Sequence, residues 1–381
     1  MNEQKLLKLH TLQMIIVIAL LGVSLTNYGH PLISAGFMVA MLIGIIVLNS
    51  NFSDRIKLCN RWLQVLVQPF SLILAWGTLT GFILRLHFLP GLLFVILALI
   101  FIAGFLPFLH FYAAEVSNNF LRLLLVIWLF QCAILPLKMY NLSLSIAPVE
   151  LTFIRTGFVG AIVYLLTILY LLRRWGWGNP FTIARRHDGF NWLVLIILIG
   201  LAFLLSLNII DPAVWAKAGN LQKLRYVLTA LEAGLAEEML SRAAIPAGLG
   251  NLLSQTKNHL LWTIVLSSIL FGMFHLTNLT AQDLGTTLYQ VVMASFSGLF
   301  FVLLYLYTGQ LWLVMLMHFY TDLASFANSA SITITAITAD DWIRILIVGA
   351  FINAIFVWLM FGKRRQVMEL HLDRLSGQKG Y

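Results

Sequence analysis

Residues 89–108 read LPGLLFVILALIFIAGFLPF and contain no charged side chain. At 1.5 Å per residue, a helix of this length covers about 30 Å, the thickness of the hydrocarbon core of a bilayer. Comparable apolar runs recur along the chain, at Leu12 to Thr26, Leu123 to Leu137 and Trp192 to Leu207. The sequence therefore predicts an all-α fold, a polytopic bundle of transmembrane helices.

The composition agrees with this prediction. Of the 381 residues, 60% are hydrophobic and only 10% are charged. A water-soluble globule needs many more charges to cover its surface, so that class is excluded. We expect about twelve spans, near residues 11–28, 32–49, 63–84, 89–111, 121–139, 150–172, 190–210, 222–242, 259–275, 284–307, 311–330 and 342–361.

The basic residues predict the orientation of the chain in the membrane. With a cytoplasmic N-terminus, sixteen of the 24 Lys and Arg residues fall on the cytoplasmic side, seven fall outside, and Arg242 lies within a span. This bias predicts a multi-pass protein of the cell membrane with both termini in the cytoplasm. The net charge of +9 is dispersed among the loops, and we therefore expect no nucleic-acid partner.

One stretch is a candidate boundary between two regions. Arg173 to Asp188 contains paired arginines, glycines and Pro180, which are typical of a loop. We expect residues 1–189 to form an N-terminal membrane region of about six helices with an unknown role. Residues 190–362 would form a core of about six helices, and residues 363–381 a basic cytoplasmic tail.

Ionisable side chains within the spans are the main functional signal. A charge in hydrocarbon is costly, so it marks either a function or a specific structural pairing. Four acidic residues lie well inside the predicted spans and two histidines stand out, and all six fall in the second half: Glu232, Glu237, Glu238, His275, His318 and Asp322.

The first cluster is Glu237-Glu238-Met239-Leu240-Ser241-Arg242. Glu238 and Arg242 lie one helical turn apart and are expected to pair, which lowers the cost of burying both. Glu237 is turned about 100° away from that pair. A carboxylate in this position suits a general base or acid. The alternative is that both glutamates neutralise Arg242 or face a water-filled cavity.

Two further clusters contain histidine. Phe271-Gly272-Met273-Phe274-His275 ends a long apolar run, and alone it fits an interfacial histidine equally well. In His318-Phe319-Tyr320-Thr321-Asp322, the histidine and the aspartate again lie one turn apart. The carboxylate can orient the imidazole for chemistry, or the pair can be a structural clasp between helices.

Together, the three clusters resemble the CPBP family of intramembrane proteases, which includes the CAAX prenyl endopeptidases and the bacterial Abi proteins. That family carries E-E-x-x-x-R, F-x-x-x-H and H-x-x-x-N or D, in this order, on helices of one membrane bundle. The resemblance covers residues 190–361 and is greater to the bacterial members. It implies an endopeptidase that acts on a membrane-associated peptide or protein, in contact with membrane lipid, in a bacterial cell membrane.

The resemblance also implies a role for each matching residue. Glu237 would activate a water molecule, and His275 would position or polarise it. His318 and Asp322 would face the oxyanion that forms when the water attacks a peptide carbonyl. Glu238 and Arg242 would hold the motif helix in place.

A metal is the alternative to a metal-independent glutamic protease. Glu237, His275 and His318 are residue types that can form a zinc site with an open position for water. The H-E-x-x-H spacing is missing, and each residue has a role without metal. We therefore expect no cofactor, with a divalent metal such as zinc as the alternative.

Two other functions stay open. Many bacterial family members have an aromatic residue and a glycine where this chain has Ser241 and Ala243, which favours a catalytically silent immunity or scaffold protein. A proton-coupled transporter would use Glu237, Glu238, His275 and Asp322 as a pathway. Inverted repeats are expected in many transporters, and the first half of the chain has no matching ionisable positions.

Overall fold

The fold was analysed in a computed structural model that describes residues 3–27, 31–84, 89–139, 148–181, 190–206, 209–333 and 337–378. Within these ranges the regular elements are helices, and no β-strand occurs. The predicted all-α bundle is confirmed. By internal contacts the chain divides into two compact units, residues 1–118 with 127–171, and residues 119–126 with 172–381.

The first unit is built on long apolar helices. Its elements are α1 (Glu3–Asn27), α2 (Pro31–Leu48), α3 (Asp54–Leu84), α4 (Pro90–Phe108) with a π turn at Leu109–Ala113, α5 (Asn119–Met139) from residue 127 onward, α6 (Pro148–Arg155), and α7 (Phe158–Arg174) up to residue 171. Helices α1, α2 and α3 pack against one another, and α3 also packs on α4. There the indole of Trp76 donates a hydrogen bond to the carbonyl of Leu97 at 2.8 Å and stacks on Phe101.

The second unit contains the three sequence clusters. Its helices are α8 (Trp192–Ser206), α9 (Pro212–Lys217), α10 (Asn220–Glu232), α11 (Ile245–Leu252), α12 (His259–Phe274), α13 (Leu284–Thr308), α14 (Leu311–Ser329), α15 (Ala339–Leu359) and α16 (Gly362–Leu375). Helix α13 packs against α12, α15 and α16. Its second half, residues 298–308, is buried on every side, as expected for the central helix of a bundle.

Each of the twelve predicted spans corresponds to helical segments, but the number that crosses the membrane stays a prediction. Among the described residues, seven helices are long and apolar enough to span a bilayer. An eighth is added if α6 and α7, which are bent by 44° at Thr156 and Gly157, form one broken span. Two other predicted spans are shorter apolar helices, at Leu32–Leu48 and Trp192–Leu201.

The predicted tail is largely a packed helix. In α16, Val367, Met368 and Leu372 are fully buried, and the Nδ1 atom of His371 lies 2.6 Å from the carbonyl oxygen of Leu306. Residues 379–381 lie outside the described part of the chain. The cytoplasmic location of this segment stays a prediction.

The predicted boundary at residues 189 and 190 also stays a prediction, because residues 182–189 are outside the described part of the chain. Residues 172–181 group with the second unit. There, the amide of Gly178 donates to the carbonyl of Leu375 at 2.9 Å.

Candidate active site

The first cluster lies on a helix that changes its winding. Between α10 and α11 the backbone forms two π turns, at Ala233–Glu237 and Met239–Ala244, so that the helical path continues to Leu252. Pro246 follows the second π turn, and a proline cannot donate the backbone hydrogen bond that an α-helix requires at that point. π turns within α-helices are frequent at functional sites.

Glu238 and Arg242 form the predicted ion pair. Nε of Arg242 lies 2.9 Å from Oε2 of Glu238, and Nη2 lies 3.2 Å from Oε1. Both side chains are completely buried. Nη2 donates a hydrogen bond to Oε1, and the close approach of Nε to Oε2 adds an electrostatic contact that helps to compensate the two buried charges.

Aromatic rings cover the buried guanidinium. The Cζ atom of Arg242 lies 4.5 Å from the ring centroid of Phe271 and 5.7 Å from that of Phe301. A cation over an aromatic face is stabilised by the ring quadrupole, most strongly when water is excluded. This contact gives a physical reason for phenylalanine in the F-x-x-x-H pattern.

His318 connects α14 to the glutamate pair. Its Nδ1 atom lies 2.7 Å from Oε1 of Glu238, and its Nε2 atom lies 3.5 Å from Oδ2 of Asp322. Oε2 of Glu237 lies 4.0 Å from the same Nε2 atom. Because an ionised carboxylate only accepts hydrogen bonds, the proton of His318 that faces Glu238 is on Nδ1. The Nε2 side of the ring is therefore the side that faces Glu237 and Asp322.

A glycine allows this approach. A Cβ atom on Gly234, in the first π turn, would lie only 2.8 Å from the carbonyl oxygen of Met315 and 3.2 Å from Cβ of Phe319. The absence of a side chain lets the backbone of α14 pack directly on the π turn. This close contact brings His318 within reach of Glu238.

His275 ends α12 beside the same group. Its Nδ1 atom lies 3.1 Å from the carbonyl oxygen of Phe271, and its ring packs edge to face on the Phe271 ring. The Phe271 ring also packs edge to face on the His318 ring, so the two imidazoles adjoin the same phenylalanine. Since a carbonyl oxygen only accepts, Nδ1 of His275 carries a proton, and in the neutral ring Nε2 is an acceptor.

The cluster divides into a buried layer and an accessible layer. Glu238 and Arg242 are fully buried, and the side chain of His318 is 10% exposed. The side chains of Glu237 and Asp322 are 24% and 27% exposed. The accessible carboxylates are therefore the ones that can meet a substrate or a water molecule.

Ser241, which departs from the family pattern, has a defined contact. Its buried hydroxyl donates a hydrogen bond to the carbonyl of Glu237, one turn earlier. A serine hydroxyl commonly satisfies a helix carbonyl in this way. The contact is made within the two π turns and holds the backbone of the residue that bears the accessible carboxylate.

The metal alternative depends on the types and positions of the donor atoms. Nε2 of both histidines and the carboxylate of Glu237 are suitable zinc ligands by type. Within the described residues, however, no three His, Cys, Asp or Glu side chains are arranged so that they could hold a metal ion. Whether Glu237, His275 and His318 use a metal stays open, and no step below depends on one.

All six predicted site residues except His275 are linked by contacts of 4.0 Å or less, and His275 lies beside the group. Sequence reasoning missed Phe301, Gly234 and the bond between His318 and Glu238. Phe301 lies in a long apolar stretch of α13 and has no distinguishing signal there. The glycine before the glutamate pair was the one visible hint of a close helix contact.

The three clusters thus form one group in a membrane helix bundle: an accessible glutamate beside two histidines, next to a buried Glu–Arg pair. Residues 219–324 match the family model described as type II CAAX prenyl endopeptidase Rce1-like. All three clusters lie within the matched region. The chain thus contains a CAAX-protease-like domain, and the predicted resemblance is confirmed for this part of the chain. No curated protein and no solved structure matches the chain.

Proposed function

We propose that the protein is an intramembrane endopeptidase that hydrolyses a peptide bond of a membrane-associated peptide or protein. One observation carries this proposal: the accessible carboxylate of Glu237 lies 4.0 Å from the imidazole of His318, whose other nitrogen is held by the buried Glu238. A base that is accessible beside a fixed imidazole suits the activation of a water molecule.

In the proposed reaction, Glu237 accepts a proton from water while the water oxygen attacks the carbonyl carbon of the substrate. Nε2 of His275 accepts a hydrogen bond from the other O–H of that water and orients it; this hydrogen stays on the oxygen. The proton held by Glu237 then passes to the leaving amine as the C–N bond breaks. No covalent intermediate with the protein forms.

In the proposed reaction, His318 and Asp322 stabilise the oxyanion. An ionised aspartate would repel an oxyanion, so Asp322 acts through His318, 3.5 Å away. With a proton on Nε2, His318 donates to the oxyanion, and Asp322 stabilises that charged form of the ring. Glu238 and Arg242 act as positioning residues, because both are fully buried.

The test is cleavage of a membrane-peptide library by purified protein in proteoliposomes, with wild type compared with Glu237→Ala and His275→Ala. We expect cleavage by wild type, loss in both variants, and no change on addition of chelator. Cleavage by Glu237→Ala would overturn the proposal that Glu237 is the base. Loss of wild-type cleavage on addition of chelator would indicate a metal-dependent mechanism. If both variants also keep the cellular function of the wild type, the silent immunity or scaffold alternative replaces the protease.

A further inference from the structure

The chain leaves α12 through a tighter helix that begins at the candidate site. Residues His275–Thr280 form a 3₁₀-helix, and α13 begins four residues later, at Leu284. A 3₁₀-helix has poorer hydrogen-bond geometry than an α-helix and is rarely longer than a few residues. His275 is the first residue of this segment, which we call the His275 turn. The position of His275 therefore depends on what holds the turn to the rest of the bundle.

The imidazole of His275 is fixed relative to its own helix. Its Nδ1 atom donates to the carbonyl of Phe271, one turn earlier, and its ring packs on the ring of the same residue. Both contacts move with the end of α12. They orient the ring on that helix, but they do not fix the helix end relative to Glu237, which lies on a different helix. Contacts between α12 and its neighbours must do so.

Before the turn, α12 packs closely on α13 at Gly272. A Cβ atom there would lie 2.6 Å from the carbonyl oxygen of Val291 and would overlap the hydroxyl of Ser295. That hydroxyl donates to the carbonyl of Val291 at 2.8 Å, so both groups have defined positions on α13. The absence of a side chain at Gly272 lets the two helices touch. This contact fixes α12 on α13 three residues before His275.

After His275, a side-chain hydrogen bond ties the turn to α13. Nδ2 of Asn278 donates to Oε1 of Gln290 at 2.8 Å, and both residues are partly buried. The backbone carbonyl of Asn278 also accepts two amide hydrogen bonds, each of 2.9 Å, which close the end of the turn. Side chains three residues apart in a 3₁₀-helix lie one above the other, so Asn278 is next to His275 along the turn. His275 is therefore held to α13 from both sides, at Gly272 and at Asn278.

We propose that Asn278 and Gln290 are positioning residues of the endopeptidase: their hydrogen bond holds the His275 turn on α13 and keeps His275 in place beside the attacking water. The inference rests on the proposed function, in which Nε2 of His275 accepts a hydrogen bond from that water. Both amides act through His275 and take no proton in the reaction. A displacement of about 1 Å in a catalytic group can cost about 100-fold in rate. Loss of the bond should therefore lower kcat and leave KM nearly unchanged, because His275 contacts the water and not the substrate.

The first test is the steady-state kinetics of the full-length protein in proteoliposomes, with a peptide that the wild type cleaves. Asn278→Ala and Gln290→Met each break the bond, and each should lower kcat about tenfold or more with KM within about twofold of wild type. Gln290→Glu keeps an acceptor oxygen and should retain kcat within about threefold. The matched control is Asn353→Ala on α15, whose amide donates to the carbonyl of Gly349 at the same distance of 2.8 Å; it should keep the wild-type kcat. Equal losses in Gln290→Met and Gln290→Glu, or in Asn278→Ala and the control, would overturn the proposal.

The second test needs no substrate and so separates this inference from the proposed function. Amide hydrogen exchange, measured by mass spectrometry, should be about fivefold faster in the peptide that contains residues 275–280 of Asn278→Ala, and unchanged in the peptide that contains residues 237–242. Unchanged exchange in the His275 turn would overturn the positioning role, whether or not the wild type cleaves. Absence of cleavage by the wild type would instead overturn the proposed function, and with it the catalytic role of the pair. If Asn278→Ala does not fold, Gln290→Met provides the same measurement.

Discussion

Nδ1 of His318 lies 2.7 Å from Oε1 of Glu238, although 80 residues separate the two in the chain. The same carboxylate forms the ion pair with Arg242. Glu238 therefore joins the first and third sequence clusters in one buried contact, while the adjacent Glu237 is left accessible. This division of roles between neighbouring glutamates leads to the predictions below.

Glu238→Gln should impair both stability and activity. The substitution keeps the shape of the side chain but leaves the fully buried Arg242 without a counter-charge, and breaking a buried pair costs about 3–5 kcal/mol. Unfolding in detergent, measured by heat or denaturant, should show a large loss for this variant. A Glu238→Gln protein as stable as wild type would contradict the positioning role.

Gly234→Ala should separate α14 from the π turn. The added methyl would lie 2.8 Å from the carbonyl oxygen of Met315, and relief of that overlap costs about 1–3 kcal/mol. Because the shift moves His318 away from Glu238, cleavage should fall by at least about tenfold, which corresponds to about 1.4 kcal/mol in the barrier.

The matched control for that prediction is Gly200→Ala in α8, where a Cβ atom would meet nothing within 4 Å. An alanine in a helix interior is favoured over glycine by about 0.5–1 kcal/mol, so this variant should be as stable as wild type or more so. Equal rates and stabilities for the two alanine variants would show that the close contact at Gly234 is not required.

Ser241→Ala should lower kcat with little change in KM. Without the hydroxyl, the carbonyl of Glu237 loses a hydrogen bond. The residue that activates water is then held less firmly, and the free energy of unfolding should fall by about 1 kcal/mol. Ser268→Ala removes the same type of bond, from a buried serine to the carbonyl of Ile264 on α12. Steady-state kinetics should therefore show a larger fall in kcat for Ser241→Ala than for Ser268→Ala. A fall in kcat of the same size in both variants would refute a specific role for Ser241.

Asp322→Asn should keep most of the activity, whereas Asp322→Leu should lose about 100-fold or more. An asparagine amide can donate a hydrogen bond to the oxyanion directly, in place of the indirect action of the aspartate through His318. Leucine can do neither. The initial cleavage rates of the two variants in the same vesicles provide the comparison. Full activity in Asp322→Leu would show that Asp322 has no role in catalysis.

Much of the architecture is encoded in local patterns. Apolar runs of span length predict the helices, and a spacing of four residues predicts the contacts of Glu238 with Arg242 and of His318 with Asp322. The contact of His318 with Glu238 joins helices distant in sequence, and no local pattern predicts it. The two π turns were also missed, because a period of 3.6 residues assumes regular winding.

Some buried polar side chains of the first unit were missed for a different reason. Gln64 and Gln68 are uncharged, and a search for ionisable groups in spans passes over them. Their significance depends on burial and on which amide atom faces which partner, and both are properties of the packed helices. A pair of glutamines one turn apart in a predicted span is a signal that sequence reasoning can use.

The central claim is that the carboxylate of Glu237 activates the attacking water, and the most direct test is the cleavage rate of Glu237→Gln at saturating peptide. The account predicts a fall of about 100-fold or more, with a free energy of unfolding within about 1 kcal/mol of wild type, because the side chain is accessible and outside the buried pair. Glu369→Gln, which removes a partly exposed carboxylate on α16, is the control and should cleave at the wild-type rate. A folded Glu237→Gln protein that cleaves as fast as wild type would contradict the account.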